Sequence, residues 1–497
     1  MKILIMSGPE GSLADALLEN GVSTLVCVTQ GNLHLRSRAG SVASGRNIAL
    51  PQQIALDVPA VRSLLMKAYP LVDRWVGNGQ SMSATLETML EYTSTLIQFI
   101  GNYLPRFAVL ETGAPHHLFT YCLDAALRYL EVPIYYLYGN AFDGRCLAVR
   151  GNEKAEVVNV TDYSPQAVID DYVEQVQRNA TYIPADSTRS LSPFLHGWRP
   201  YAAWLHVREG LARRYVALRK GAPALAEGPG IRLRLPPVGL GQLLRILKGH
   251  SQYRTLMGSR GVFAPESIGP NDVVYVGHMV PEATSFPESP DYPGEIDVLI
   301  DLKNRFPDSK VFYREHPAIA LYSEFGHIHL QGLHKNPAFY EQLERLGIGL
   351  VPSGLHISKI RERGCLFATK TGRVAVENSV LGIPTLLYGY PFYGCDLPLA
   401  FHVGSLPARL TADMVRARAV EVTDCAAAVK THLVARFSGS IDNPGIGLGN
   451  DASARPRFEE GVVRLVRLLG VDAAMSAEAQ WRQEAGREAG MAQPAQG

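Results

Sequence analysis

Apolar residues are arranged in two ways along this chain. Near the start, Ile3-Leu4-Ile5-Met6 and Thr24-Leu25-Val26-Cys27-Val28 are almost unbroken hydrophobic runs, as expected of strands covered on both faces. Longer stretches place apolar residues at helical spacing, and 83–103 carries Leu86, Leu90, Leu96 and Ile97 in this way. The pattern predicts strands at 3–6, 23–28, 107–111 and 132–137, with a helix at 119–130 before the last. Strand, helix, strand is the rhythm of a βαβ unit. It returns between 272 and 390, where strands are predicted at 273–276, 310–313, 347–351, 366–369 and 383–388. Helices are predicted at 295–305 and 337–346, and again over 412–437 and 457–469.

The stretch from about 160 to 260 has few strand signals and reads as mainly helical, with a flexible hinge at 221–230 (Gly-Ala-Pro-Ala-Leu-Ala-Glu-Gly-Pro-Gly). Residues 194–260 hold 12 Lys or Arg and 2 Asp or Glu, interleaved with Trp198, Tyr201, Trp204, Leu235, Leu243 and Leu247. Two readings fit this composition: a solvated basic helix face, or a peripheral contact with an anionic membrane. The tail after about 474 is rich in Ala, Glu, Gln and Gly and reads as disordered. The expected organisation is an N-terminal Rossmann-like domain (1–160), a basic connecting region (161–262), a second Rossmann-like domain (263–410), closing helices (411–473) and the tail (474–497). This is an α/β chain of GT-B type: two Rossmann-like domains facing across a cleft, with a helical middle insertion.

Composition narrows the function. Lys plus Arg is 48 and Asp plus Glu is 47 in 497 residues, a net charge of +1, unlike the basic footprint of a nucleic-acid binder. The six cysteines are scattered and form no CxxC pair, which argues against a disulfide scaffold or a Cys-type zinc site. No uninterrupted apolar run of about 18 residues occurs, and the N-terminal run is too short for a signal peptide. The chain is expected to be cytoplasmic.

Four segments at predicted strand ends carry candidate chemistry. Val311-Phe-Tyr-Arg-Glu-His-Pro317 delivers Arg314, His316 and Pro317 to a sheet edge, where guanidinium and imidazole can meet phosphate. Ala368-Thr-Lys-Thr-Gly-Arg-Val-Ala-Val-Glu377 turns from strand to helix through Thr369, Lys370, Thr371 and Gly372, as a phosphate-binding turn does. In it Glu377 is placed to accept from ribose hydroxyls. The bland alternative is an ordinary βα turn with a capping Thr. Val276-Gly-His-Met-Val-Pro-Glu-Ala-Thr-Ser285 offers Glu282, and Glu111-Thr-Gly-Ala-Pro-His-His117 offers Glu111 from the other domain. Paired carboxylates across a cleft suit glycosyl chemistry, although each alone reads equally well as a solvated loop acid. No acidic pair stands where a divalent ion would sit on a diphosphate, so the site reads as needing no metal or other cofactor.

In this order and spacing the segments resemble the bacterial capsular-polysaccharide and lipopolysaccharide GT-B transferases, including the retaining β-Kdo transferases. Glu111 to His117, followed by Asp124-Ala-Ala-Leu-Arg-Tyr-Leu-Glu-Val-Pro133, resembles the family's Pro-His loop and helix. Pro281-Glu-Ala-Thr284 resembles its Gln-Pro-Glu-Ala-Thr segment, and Arg314-Glu-His-Pro317 its His-Pro motif. Thr369 to Glu377, with Leu381-Gly-Ile-Pro-Thr385 behind it, resembles its phosphate turn, helix and next strand. Val280 stands where the family often has Gln, and Glu282 where well-understood members have Asp. The resemblance implies a CMP-Kdo type of donor, with Arg314, His316, Pro317 and the 369–372 turn on the phosphate and Glu377 on the ribose. It further implies Glu282 as nucleophile, Glu111 as base, and Pro115, His116 and His117 on the side of a glycan or lipid-linked glycan acceptor. A UDP-sugar transferase, a UDP-GlcNAc 2-epimerase-like enzyme and a non-catalytic assembly protein that binds nucleotide or glycan are the competing readings.

Overall fold

The computed structural model describes residues 1–6, 12–29, 32–37, 42–44, 52–67, 82–110, 118–139, 142, 144–151, 156–179, 215, 224–228, 231–234, 265–278, 288–316, 337–351, 355–419, 422–442 and 455–470. The first lobe contains β1 (Lys2–Ile5), α1 (Ser12–Glu19), β2 (Thr24–Thr29), β3 (Asn32–Ser37), β4 (Val42–Ser44), α2 (Val58–Met66), α3 (Met82–Tyr103), β5 (Ala108–Leu110), α4 (Leu118–Tyr129), β6 (Ile134–Gly139), β7 (Cys146–Arg150), β8 (Glu156–Val158) and α5 (Gln166–Asn179). Its eight strands lie in the order β4-β3-β2-β1-β5-β6-β7-β8. The central four, β2-β1-β5-β6, are parallel, and each flank is extended by antiparallel strands. These flanking strands are absent from the sequence expectation. The two outermost, β4 and β8, are only three residues long, too short for a clear hydrophobic pattern, and the Gly after β2 is a weak cue for the β2–β3 hairpin.

The second lobe contains β11 (Val273–Val276), α6 (Glu295–Arg305), β12 (Val311–Arg314), α7 (Pro337–Arg345), β13 (Gly349–Val351), α8 (Ile357–Arg361), β14 (Leu366–Thr369), α9 (Val374–Val380), β15 (Thr385–Leu387) and β16 (Ala400–His402). All six strands are parallel, in the order β13-β12-β11-β14-β15-β16. That is the doubly wound Rossmann arrangement, in which the chain reverses direction beside β11. The fold is therefore α/β with two Rossmann-like lobes, in keeping with the GT-B expectation.

Between the lobes, β9 (Ala224–Gly228) and β10 (Ile231–Arg234) pair as an antiparallel ribbon. This corrects the reading of 221–230 as a hinge in a mainly helical region: β9 runs through Gly228, and the Pro-Gly dipeptide at 229–230 stands between the paired strands, the place such breakers take in a hairpin. The rest of 194–260, Tyr215 apart, and the tail 474–497 lie outside the described residues. After the second sheet, the single helical stretch expected over 412–437 is divided into α10 (Ala412–Ala419) and α11 (Cys425–Phe437). Asp424 caps the latter by accepting the Ala427 N–H at 2.9 Å. A last helix, α12, spans 455–470.

Strand alternation sorts the side chains into separate cores. Ile3, Ile5, Leu25 and Val109 face α1 and α12 through Leu17, Phe458, Val462 and Leu465. Leu4, Val26, Ala108 and Leu110 face the opposite way, against α3 and α4. That second core does not stop at the lobe boundary: it continues through Val173 and Val176 of α5 into Val376 and Val380 of α9 and Leu433 and Phe437 of α11. Each such buried side chain contributes about 1.5–3 kcal/mol, so the two lobes hold each other. Beyond α11 the chain docks on the first lobe. Cys146 and Ile441 exchange backbone hydrogen bonds of 2.8 Å, and Arg145 pairs with Asp442 at 2.7 Å while lying 3.9 Å over the Tyr163 ring. All six cysteines are free thiols. No described helix is long and apolar enough to cross a membrane.

Candidate functional site

Register brings three strand ends together. Val276 of β11 lies opposite Arg314 of β12, and Tyr275 lies opposite Ala368 of β14. Gly277-His278, Glu315-His316 and Lys370-Thr371-Gly372 therefore leave the sheet side by side, at the point where strand order reverses. Open α/β sheets bind ligands in that crevice.

His278 organises the crevice. Its Nε2 lies 3.1 Å from Thr369 Oγ1 and accepts the Thr371 backbone N–H at 3.1 Å. A ring nitrogen that accepts an amide proton carries none itself, so the neutral ring holds its proton on Nδ1. Burial, with the Lys370 ammonium adding to it, lowers the His278 pKa to about 4. Its backbone N–H donates to Glu295 Oε1 at 2.8 Å, and Tyr313 donates its hydroxyl to the other carboxylate oxygen at 2.7 Å. A side chain at Gly277 would put its Cβ 2.6 Å from the Tyr313 ring and 2.7 Å from Glu295, so only glycine fits.

Beside it, His316 is half-buried, and its pKa falls to about 3 through burial first and then the charges of His278 and Arg314. Both imidazoles are thus neutral near pH 7. Arg314 is buried and donates to the Leu355 carbonyl at 3.1 Å. Thr369 and Thr371 are buried in the turn, and the Gly372 carbonyl accepts the Tyr393 hydroxyl at 2.9 Å.

Two of the expected donor ligands have other partners. Lys370 is fully buried and donates from Nζ to the Pro293 carbonyl at 2.8 Å, tying the turn to the start of α6. Glu377 is bonded to Arg361 Nη2 at 2.7 Å, with side-chain exposures of 12% and 5%, so this is an interior ion pair. Arg361 Nε also donates to Asn378 Oδ1 at 2.7 Å. Burial raises the Glu377 pKa even though Arg361 opposes it. The Thr371 N–H, expected to be open to a phosphate, is committed to His278.

Arg314, His316, Thr369, Lys370, Thr371, Gly372 and Glu377 thus belong to one neighbourhood. Glu111, Pro115, His116, His117, Glu282 and Pro317 lie outside the described residues. From the first lobe Tyr138, near the carboxyl end of β6, interacts with Glu288 of the second lobe. Phe142, after β6, packs on Phe392 and Phe437 with centroids 6.1 and 5.3 Å apart. Sequence reasoning missed His278, Arg361 and Glu288. The signal for His278 was present, since Val276-Gly-His ends a buried strand. Among the described residues, no group of His, Cys, Asp and Glu is arranged to hold a metal ion.

No family model matches the chain, and no curated protein does. Among solved structures it is similar to KpsC, a beta Kdo 2,7 transferase of Thermosulfurimonas dismutans, at 10% identity over 72% of this chain and 97% of that one, with a TM-score of 0.27. It is also similar to a UDP-GlcNAc 2-epimerase from Neisseria meningitidis bound to UDP-GlcNAc, at 11% identity over 94% of this chain and 100% of that one, TM-score 0.19. MurG of Acinetobacter baumannii gives 10% identity over 94% and 99%, TM-score 0.18. At such scores the fold rests on its own sheet order and register.

Proposed function

We propose that this chain is a glycosyltransferase of surface-polysaccharide assembly that moves a sugar from a nucleotide donor, of CMP-Kdo type, to a glycan or lipid-linked glycan. The observation that carries the reading is the strand-end crevice at the reversal beside β11. There Arg314, Lys370 and Arg373 raise a positive field around two neutral imidazoles, with the Glu295 carboxylate opposing them. Such a field favours an anionic ligand, and a donor with one phosphate needs little more than fixed cations and hydrogen-bond donors to stabilise its leaving group.

In this mechanism Glu282 attacks the anomeric carbon, the carbon–oxygen bond to phosphate breaks, and CMP departs with its charge held near His316 and Arg314. Glu111 then takes the proton of an acceptor hydroxyl, which displaces Glu282 and leaves the configuration retained. His316 acts as a hydrogen-bond donor rather than a cation. Pro317 and Gly372 shape the phosphate contact, and Glu377, held by Arg361 in an interior ion pair, supports the turn rather than meeting the ribose. Pro115, His116 and His117 face the acceptor, and the basic stretch 194–260 contacts the anionic membrane surface from which a lipid-linked acceptor is presented.

Thermal-shift titration with CMP and UDP tests the reading. CMP should stabilise the chain and UDP should not; a shift with UDP alone transfers the assignment to the UDP-sugar enzymes. His316→Ala should abolish transfer at unchanged melting temperature. Mass spectrometry should detect a sugar attached to the protein and lose it in Glu282→Gln, whereas full turnover by that variant removes Glu282 from the mechanism.

A further inference from the structure

One strand further along the same sheet edge, the carboxyl ends of β15 and β16 open into a pocket of about 810 Å³. Tyr390 follows β15 and stacks on His402 at the end of β16, with centroids 4.7 Å apart and ring planes at 20°. The Gly404 N–H donates to His402 Nδ1 at 3.2 Å, which leaves the proton of the neutral ring on Nε2. Asp291 and Asp396 are exposed at the pocket, and Ser405 contributes a hydroxyl.

Arg436 of α11 enters from the interior side. Its Nε donates to the Phe392 carbonyl at 3.1 Å. Among the described residues it makes no other hydrogen bond and no ion pair, and Asp396 reaches it only through space. Burial weakens its hold on its proton. A half-buried guanidinium with most of its N–H donors uncommitted is costly unless an anion joins it. A carboxylate matches its fork in two parallel hydrogen bonds. Flat rings suit the apolar face of a pyranose, and exposed carboxylates accept from neighbouring hydroxyls.

We infer that this pocket is a binding subsite for a carboxylate-bearing sugar, held by its acid group on Arg436, by its ring along Tyr390–His402 and by its hydroxyls on Asp291 and Asp396. The subsite is separate from the nucleotide crevice and rests on the transferase reading only for the choice of a sugar. It holds an acidic residue of the glycan and not the activated donor.

Saturation-transfer NMR on the full chain, with free Kdo and glucuronate as probes, tests this. Glucose, glucosamine and the neutral isostere glucuronamide serve as controls. Both acids should bind, the controls should bind at least about tenfold more weakly, and Arg436→Gln should remove that preference. Asp291→Asn should weaken the acids severalfold. Comparison of glucuronate with glucuronamide needs no mutation and stands even if Arg436→Gln fails to fold. Equal binding of acid and amide, preference for glucosamine, or no binding of either acid overturns the inference. Displacement of the acids by CMP also overturns it, by making the pocket part of the donor crevice. A chain that binds the acids but gives no CMP shift keeps this subsite and loses the donor assignment.

Discussion

Replacing Arg361 with Met removes the cation that faces Glu377 while keeping much of the side-chain volume. Both partners are almost wholly interior, with side-chain exposures of 5% and 12%, so water can do little to replace the lost 2.7 Å bond. Breaking one side of a buried pair costs about 3–5 kcal/mol. The Asn378 side-chain Oδ1 loses the Arg361 Nε donor as well. Unfolding entropy of about 2.1 cal/mol/K per residue makes each kcal/mol worth only about 1 °C in a single cooperative unit of this size, so Arg361→Met should melt roughly 3–5 °C below the parent. The pH dependence identifies the cause. Burial already raises the folded-state pKa of Glu377, and without Arg361 it rises further above the unfolded value. A carboxyl group with a raised folded pKa favours the fold while protonated and loses that contribution as pH climbs through the folded value. The gap between variant and parent should therefore be widest near pH 7.5 and narrow on acidification. Calorimetry at both ends of that range, with Arg361→Met/Glu377→Met as the partner-deleted control, reads it directly. A loss below about 1 kcal/mol, or a gap that does not change with pH, would refute the claim that this pair is an interior one.

Acid should destabilise the chain through His278: its pKa is about 4 in the fold, so from about pH 6.5 downward the unfolded chain takes up a proton that the fold refuses. His278→Gln should flatten this fall in urea midpoints by up to about 1.4 kcal/mol per pH unit; an unaltered slope would place the titration elsewhere. Gly372→Ala would put a Cβ 2.7 Å from Thr369 Oγ1, which is fixed by His278 and Val276, so it should cost about 1–3 kcal/mol and remove the CMP shift. Arg145→Ala should speed amide exchange at Cys146 and Ile441 far more than in β1 or β5, because it cuts the pairing with Asp442 and Ser440 that clasps the returning chain.

The strands of the second lobe were legible because a parallel sheet covered on both faces needs continuous apolar runs, as Val273–Val276 and Leu366–Thr369 show. The flanking strands of the first lobe differ among themselves: β3 is covered on one side and carries polar residues, whereas Cys146–Val149 of β7 is as buried as the central strands and too short a run to stand out. The neighbourhood of His316 and Thr369 could be placed because both residues end such runs. What each group does there was less legible. Glu377 reads as a free ligand until Arg361, 16 residues earlier in the chain, is seen against it. Lys370 reads as a phosphate contact until its ammonium is found on Pro293. Partnerships of this kind are set by how helices pack, and local spacing does not record them.

The apolar seam that runs from α5 through α9 into α11 makes the two halves of this chain a single thermodynamic object. Evolution often reshuffles nucleotide-binding modules as separable cassettes, but separating the chain anywhere between residues 180 and 264 would part Phe437 from Phe142 and α11 from α5. Each fragment expressed by itself should aggregate, the two together should recover a soluble pair, and the intact molecule should melt in one calorimetric peak.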